Sequence, residues 1–314
     1  MNTLTPSAVG SAVCRVLFGG SAAGIDFADG RPGLRVALPV LAGMNFEDLL
    51  PGTDEPAERE GCTLFRRGPW LAGIAVAASG TELEAGTSEV YRRLFSVTAG
   101  LHLYRIWNYV PQIGAVARGL ENYHRFCRGR SLAFEKYFGK NFQRVLPAAS
   151  AVGTVAGPFA IGFLAGRAEP RHFENPRQVP AFEYPPEYGP RPPSFSRATV
   201  VTQLGAQRTF ISGTAAIRGH ATVAMQNLDG QLDCTLENLR LIGIATGAGP
   251  RLGLPAGSRR TFKVYVRRAD DLARVQARLD RELLHPGDTV SYLQADICRN
   301  DLLVEVEGLL ASGA

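Results

Sequence analysis

Residues 174–198 read ENPRQVPAFEYPPEYGPRPPSFSRA, and this stretch divides the chain. Its proline density excludes a helix, and the missing N–H groups exclude a central strand. A plain tether would be polar and bland. Here Phe182, Tyr184, Tyr188 and Phe195 stand among arginines, which predicts a packed, functional loop.

Working outward, the two flanks carry one pattern. Before the loop come strand-like runs at 34–41 and 71–78, then a helix with Val90, Leu94, Val97 and Leu101 at helical spacing. A strand at 102–109, a helix at 120–138 and strands at 146–153 and 158–165 follow. After the loop come strands near 199–204 and 208–217, then a helix with Leu232, Leu236 and Leu239 on one face. Next are a strand at 262–267, a helix with Leu272, Val275, Leu279 and Leu283, and strands at 289–293 and 301–309. The expected fold is α+β, with two similar units that each pack helices on one face of a mixed sheet. The divisions are 1–170, a connecting loop at 171–198, and 199–314. A ligand belongs at the interface between such units.

With 314 residues the chain has room for two domains, and 45% hydrophobic against 20% charged residues excludes a disordered or collagen-like chain. Net charge is +5, too small and scattered for a nucleic-acid binder. Lysine occurs only at Lys136, Lys140 and Lys263, so an anion site falls to arginine, which grips carboxylates bidentately. The cysteines (Cys14, Cys62, Cys127, Cys234, Cys298) are odd in number and lack a CxxC pair, which argues for a reducing compartment. The N-terminus lacks the features of a signal peptide. The longest apolar run, 70–78, is less than half of the roughly 20 residues a membrane helix needs. A soluble cytoplasmic protein without a membrane partner is expected.

Common catalytic signatures are missing. Histidines 102, 124, 172, 220 and 285 are solitary, so no zinc site is expected. GAGPRLG at 247–253 has the wrong glycine spacing for a dinucleotide fingerprint, and neither a P-loop nor GxSxG occurs.

DICRNDLLVEVEG at 296–308 is more informative. Strand alternation puts Leu303, Glu305 and Glu307 on one face and Leu302, Val304 and Val306 on the other. Either both carboxylates face water, or one turns into the crevice between units, where desolvation keeps it protonated as a general acid. Cys298, in the turn before, is either an inert buried thiol or faces the same crevice. In ISGTAAIRGH (211–220), Gly213 marks either a β-bulge or close approach by a ligand or backbone. Arg125, Arg128 and Arg130 share a helix, where a solvated basic face competes with one inward arginine. Arg105, Arg177 and Arg267 border strands at points suited to a carboxylate clamp.

Taken together, YRIWNYVPQI (104–113), ENYHRFCRGRS (121–131), LPAASAVGT (146–154), ENPRQVPAFEYPPEYGP, ISGTAAIRGH and ADICRNDLLVEVEG (295–308) resemble the chorismatase family. The resemblance runs from about residue 90 to 309, and the first 85 or so residues add little. DLLVEVEG also looks like the carboxy end of the RidA/YjgF-like (chorismate-mutase-like) fold, and chorismatases are understood as two such units in one chain. The resemblance implies chorismate as substrate, cleavage of its enolpyruvyl ether with release of pyruvate, and no metal or organic cofactor. It places Glu305 at the family's acidic position, as proton donor. Glycine in the SGT segment and cysteine in the ICR turn go with the branch that forms 3-hydroxybenzoate, in some members with 4-hydroxybenzoate. Gly213 and Cys298 fit that pattern, where the branch giving 3,4-dihydroxycyclohexa-1,5-dienoate tends to carry alanine. Tyr188, Arg130, Arg177 and Arg267 are the expected substrate contacts, and Cys298 joins Glu305 among the catalytic candidates. The rival reading is an imine deaminase or metabolite-binding protein of the same fold. A homotrimer and a monomer with a pseudo-trimer-like core are both compatible with it.

Overall fold

A computed structural model of the chain describes residues 12–28, 31–253 and 258–312. Residues 1–11, where a leader was sought, lie outside the described residues. The first strands are β1 (Ala12–Leu17), β2 (Gly24–Ala28), β3 (Arg31–Arg35), β4 (Val40–Gly43) and β5 (Phe46–Thr53). Next come β6 (Ala57–Arg59), β7 (Cys62–Arg67), β8 (Trp70–Val76), helix α1 (Leu83–Val97) and β9 (His102–Pro111). A short hairpin, β10 (Val116–Ala117) and β11 (Leu120–Glu121), leads into α2 (Asn122–Phe138), β12 (Ala148–Thr154) and β13 (Ala160–Gly166). Beyond lie β14 (Arg171–Phe173), β15 (Ala198–Gln203), β16 (Ala206–Ala215) and the hairpin β17 (Ile217–Arg218) and β18 (Ala221–Thr222). The chain closes with α3 (Leu228–Thr246), β19 (Arg259–Val266), α4 (Leu272–Glu282), β20 (Thr289–Gln294), β21 (Asp296–Ile297) and β22 (Val304–Ser312).

The class is α+β, and the expected repeat is visible in the strand order. One sheet runs β21-β12-β9-β13-β8-β7-β6, the other β4-β20-β19-β22-β16-β15-β14. In the first, β9 and β12 are parallel; in the second, β19 and β20 are, and the remaining neighbours in both are antiparallel. Helices α1 and α2 precede and follow β9 as α3 and α4 precede and follow β19. The two units therefore share one topology.

A third, smaller sheet, β2-β3-β1-β5, repeats part of it. There β1 is parallel to β3 and antiparallel to β5, as β19 is to β20 and β22, with β2 standing where the larger units carry a crossover helix. Each unit lends a connection to the next. From the segment between β20 and β22, β21 pairs with β12; from the segment between β3 and β5, β4 pairs with β20. Just after β12, the Val155 N–H donates to the Ala37 carbonyl, two residues past β3, at 3.2 Å. The three sheets thus follow one another in a closed cycle.

Helix boundaries follow local chemistry. The Glu82 side chain accepts from the N–H groups of Glu84 and Ala85 at the start of α1, Asn227 caps α3, and α3 stops at Gly247 in the left-handed region. Val90 and Leu94 of α1 bury against Leu71, Ala75 and Ile106, on the outer face of one large sheet. Leu232 and Leu239 of α3 and Val275 and Leu279 of α4 do the same against Phe262, Val264, Val304 and Val306. The opposite faces of all three sheets meet in a shared core containing Val16, Leu34, Leu50, Ile74, Trp107, Phe210 and Tyr265. The single strand expected at 34–41 is two. β3 ends at Arg35, and Pro39, which has no N–H to give a ladder, precedes β4 in a different sheet.

Candidate active site

A cavity of about 280 Å³ opens where the two large units meet. β12 supplies Ala149, Ser150 and Ala151, α2 supplies Tyr123, His124 and Arg130, and the proline-rich loop supplies Tyr184, Tyr188, Phe195 and Arg197. From the C-terminal unit come Gly213 and Ala215 of β16, the turn from Cys298 to Leu302, and Glu305 of β22.

The reading in which both strand carboxylates face water is overturned. Val304 and Val306 pack under the helices, which sends Glu305 and Glu307 to the inner face, where they are 4% and 2% exposed. The alternation does not run back past the strand, however. A turn at 299–302 precedes it, and Leu302 packs in the inner core while Leu303 joins the helix-side core, opposite to expectation.

Glu305 lies between Ala215 and Tyr265 on the neighbouring strands, and its Oε1 makes no hydrogen bond among the described residues. Gly213 makes room for it: a Cβ there would sit 2.1 Å from Oε1. The β16–β22 register shifts between Ile211 and Thr214, as the bulge reading expects, while the group that approaches Gly213 closely is the Glu305 side chain rather than a backbone. Burial, reinforced by the negative charge of Glu307 and only partly offset by Arg105 and Arg197, pushes the Glu305 pKa up to about 8. At neutral pH this carboxyl keeps its proton. Cys298 is half-buried, and burial with the nearby Glu305 raises its thiol to about 12, so it stays protonated and is no thiolate nucleophile.

Glu307, two residues along, is the contrary case. Burial works against its charge, but Lys263 and Arg105 prevail and hold its pKa down at about 2. Its oxygens accept from Arg105 Nη2 at 2.7 Å and Trp107 Nε1 at 3.0 Å, with Lys263 Nζ at 2.6 Å. Lys263 also pairs with Glu47 of β5, so one buried quartet joins all three sheets.

Of the expected substrate contacts, Arg130 and Tyr188 face the cavity. Arg130 is buried, with its guanidinium 4.7 Å from the Phe126 ring and its Nε unpartnered. Arg125 and Arg128, on the same helix, pair with Glu82 and Glu84 instead. Tyr188 carries the Arg299 guanidinium over its ring at 4.1 Å and holds His220 Nδ1 at 3.2 Å through its hydroxyl. Gly189 lets the loop close on α2: its φ of 114° is in glycine's territory, and a Cβ would lie 2.9 Å from the His124 ring.

Arg177 and Arg267 are corrections. Arg177 is half-exposed and pairs with Glu237 of α3 at 3.3 Å. Arg267 sits behind the site, donating to the carbonyls of Leu302 at 2.6 Å and Arg299 at 2.9 Å and pairing with Asp296, so it braces the turn from outside. Strand-end arginines suggested a clamp, but those positions faced other secondary-structure ends. Arg105 is also occupied, by Glu307 and Ser150. The cations missed were Arg299, in the turn, and Arg197, last in the SFSR run of the loop. Arg197 is buried over Phe195 at 5.0 Å, donates to the Tyr184 hydroxyl at 2.7 Å, and lies 3.8 Å from Glu174, whose pKa burial raises to about 7. Its position two residues after Phe195, at the end of a proline-rich segment, was the available signal.

The family described as "Chorismatase FkbO/Hyg5-like, N-terminal" matches residues 51–165. A 3-hydroxybenzoate synthase of Streptomyces hygroscopicus is 39% identical over 271 residues, covering 82% of this chain and 78% of that protein. The chain belongs to the chorismatase family. A chorismatase of Streptomyces rapamycinicus is 37% identical, with 92% of this chain and 89% of that protein aligned. A chorismatase crystal structure superposes with a TM-score of 0.83 at 32% identity, covering 98% of this chain and 96% of the other. The chorismatase likeness therefore includes the N-terminal third, where the small sheet lies. Among the described residues no helix is long and apolar enough to cross a membrane.

Proposed function

We propose that the chain cleaves the enolpyruvyl ether of chorismate and releases pyruvate and 3-hydroxybenzoate. The observation that carries this reading is a buried carboxyl, Glu305, whose Oε1 has no hydrogen-bond partner among the described residues, inside a cavity that also holds the buried cations Arg130 and Arg197. Chorismate is a dianion, and guanidinium groups shielded from water suit its two carboxylates. Tyr188 and Arg299 close the mouth above it.

In the proposed reaction Glu305 gives its proton to the methylene carbon of the enol ether, a transfer that is slow without a well-placed acid. The resulting oxocarbenium ion faces the new Glu305 carboxylate. The substrate's own hydroxyl then acts in place of water, its proton returns to Glu305, pyruvate leaves and the ring aromatises. The atoms of chorismate equal those of 3-hydroxybenzoate plus pyruvate, so no water is consumed. Gly213 and the Cys298 thiol set the shape of the pocket beside the carboxyl and favour this branch.

The small sheet supports a single-chain enzyme. It covers the inner faces of both large sheets, as a third subunit would in a ring. Incubating the purified protein with chorismate tests the function: pyruvate is expected in a coupled assay and 3-hydroxybenzoate by chromatography. Absence of pyruvate sinks the reading. The dihydroxydienoate in place of the aromatic acid would assign the hydrolytic branch.

A further inference from the structure

The buried quartet lies outside the cavity, and the reaction drawn above does not touch it. We propose that Glu307 is a positioning residue for Glu305: as a fixed anion on the same strand face, it keeps the catalytic proton in place and keeps Arg105 away from that carboxyl. This deepens the chorismatase reading and rests on it.

The geometry supplies the argument. Glu47 and Glu307 balance Lys263 and Arg105, and the four are linked by the Lys263 pairs and the Arg105 bond. Arg105, Lys263 and Glu307 are buried and the Glu47 side chain is nearly so, at 9% exposed, so the charges act through low dielectric. Arg105 Nη1 has no partner and Nη2 is committed to Glu307 and Ser150. Were Glu307 neutral, Arg105 would lose its carboxylate partner, Glu47 would be the quartet's remaining acid, and the Arg105 charge would act on Glu305 with no Glu307 carboxylate to offset it. The cavity round Glu305 also holds the carboxyls of Glu121 and Asp301, neither of them buried, and His124; its other charged or titratable members are cations or weak acids. Arg197 reaches from the loop and Arg130 from α2, and Cys298 and Arg299 come from the turn, with Tyr265 on β19 and Tyr123 on α2 neutral. Of the carboxylates, Glu307 is the one that raises Glu305, and without it burial alone opposes Arg105 and Arg197.

Two measurements test this. In Glu307→Gln the quartet keeps one cation in excess, and the alkaline limb of the kcat profile on chorismate is expected to fall by about one pH unit or more, the usual effect of a charge at close range. Glu307→Gln/Lys263→Met removes one charge of each sign and is expected to bring the limb back toward wild type, which general damage to packing would not do. The second measurement needs no turnover. In protein labelled with carboxyl-13C glutamate, the signal lost in Glu305→Gln is expected to titrate in the alkaline range. The signal lost in the conservative Glu307→Asp is expected to stay ionised throughout. A limb unmoved in Glu307→Gln, or a Glu307 that takes up the proton before Glu305, overturns the proposal. Wild-type protein inert on chorismate counts against the enzyme assignment alone, and the carboxyl titration still decides the role of Glu307.

Discussion

A carboxylic acid that must protonate carbon near neutral pH has to hold its proton where most glutamates have lost it. Glu305 does so by burial beside a fixed anion. Glu305→Gln is expected to keep the fold and lower kcat at least about a hundredfold, within the span for loss of a general acid. In wild type, kcat should decline as pH rises through about 8, where Glu305 ionises; steady-state profiles check both. The same shift has a cost in stability. The folded pKa of about 8 lies above the ordinary 4.5, so the folded state binds the proton more tightly and stability falls as pH rises between those values. The melting temperature of Glu305→Gln should therefore gain on wild type across that window, and parallel curves would contradict the burial argument. Gly213→Ala puts a methyl where the Glu305 carboxyl lies, so with Cys298→Ala it should shift product toward the diol, read by chromatography. Sequence alternation placed Glu305 and Glu307 on one face. It could not tell acid from anion, because the difference comes from Lys263 and Arg105, distant in sequence.

At the scale of elements, the proline-rich loop is a wall of the cavity rather than a tether. Its closure depends on Gly189 lying against His124, where a side chain would meet both an unfavourable φ and the imidazole. Gly189→Ala is expected to raise KM for chorismate several-fold while leaving the alkaline limb of kcat in place. A moved limb would mean that the loop acts on Glu305 as well. The helices were readable because Val90 and Leu94, or Val275 and Leu279, recur at the helical period and bury one face. The break at Pro39 was less readable: Leu38 and Val40 continue an apolar run, and the change of sheet is a tertiary event. Arg177 and Arg267 lie away from the cavity lining for a similar reason. Their chemistry suits a carboxylate, but Arg177 pairs with Glu237 and Arg267 donates to the turn carbonyls.

For the whole molecule, the two-unit plan was legible from the repeat of strand and helix patterns. The small N-terminal sheet was not, since its strands carry no helical period and it echoes only part of the larger topology. Because this sheet seals the shared core, the protein is expected to run as a monomer of about its sequence mass of 33.8 kDa. Sedimentation equilibrium checks this, and a trimer mass would refute it. Removing residues 1–53 should uncover Trp107, Phe210 and Tyr265 together with Lys263, and the truncated chain should aggregate or fail to fold.

In a ring of identical subunits, any substitution at a boundary is imposed on every boundary at once. Here the closed cycle of three sheets is drawn from one polypeptide, so its junctions are chemically distinct. Inheritance can alter the junction holding Glu305 and Arg130 while the other two go on supplying rigidity, and a change that improves turnover need not be tolerated three times over.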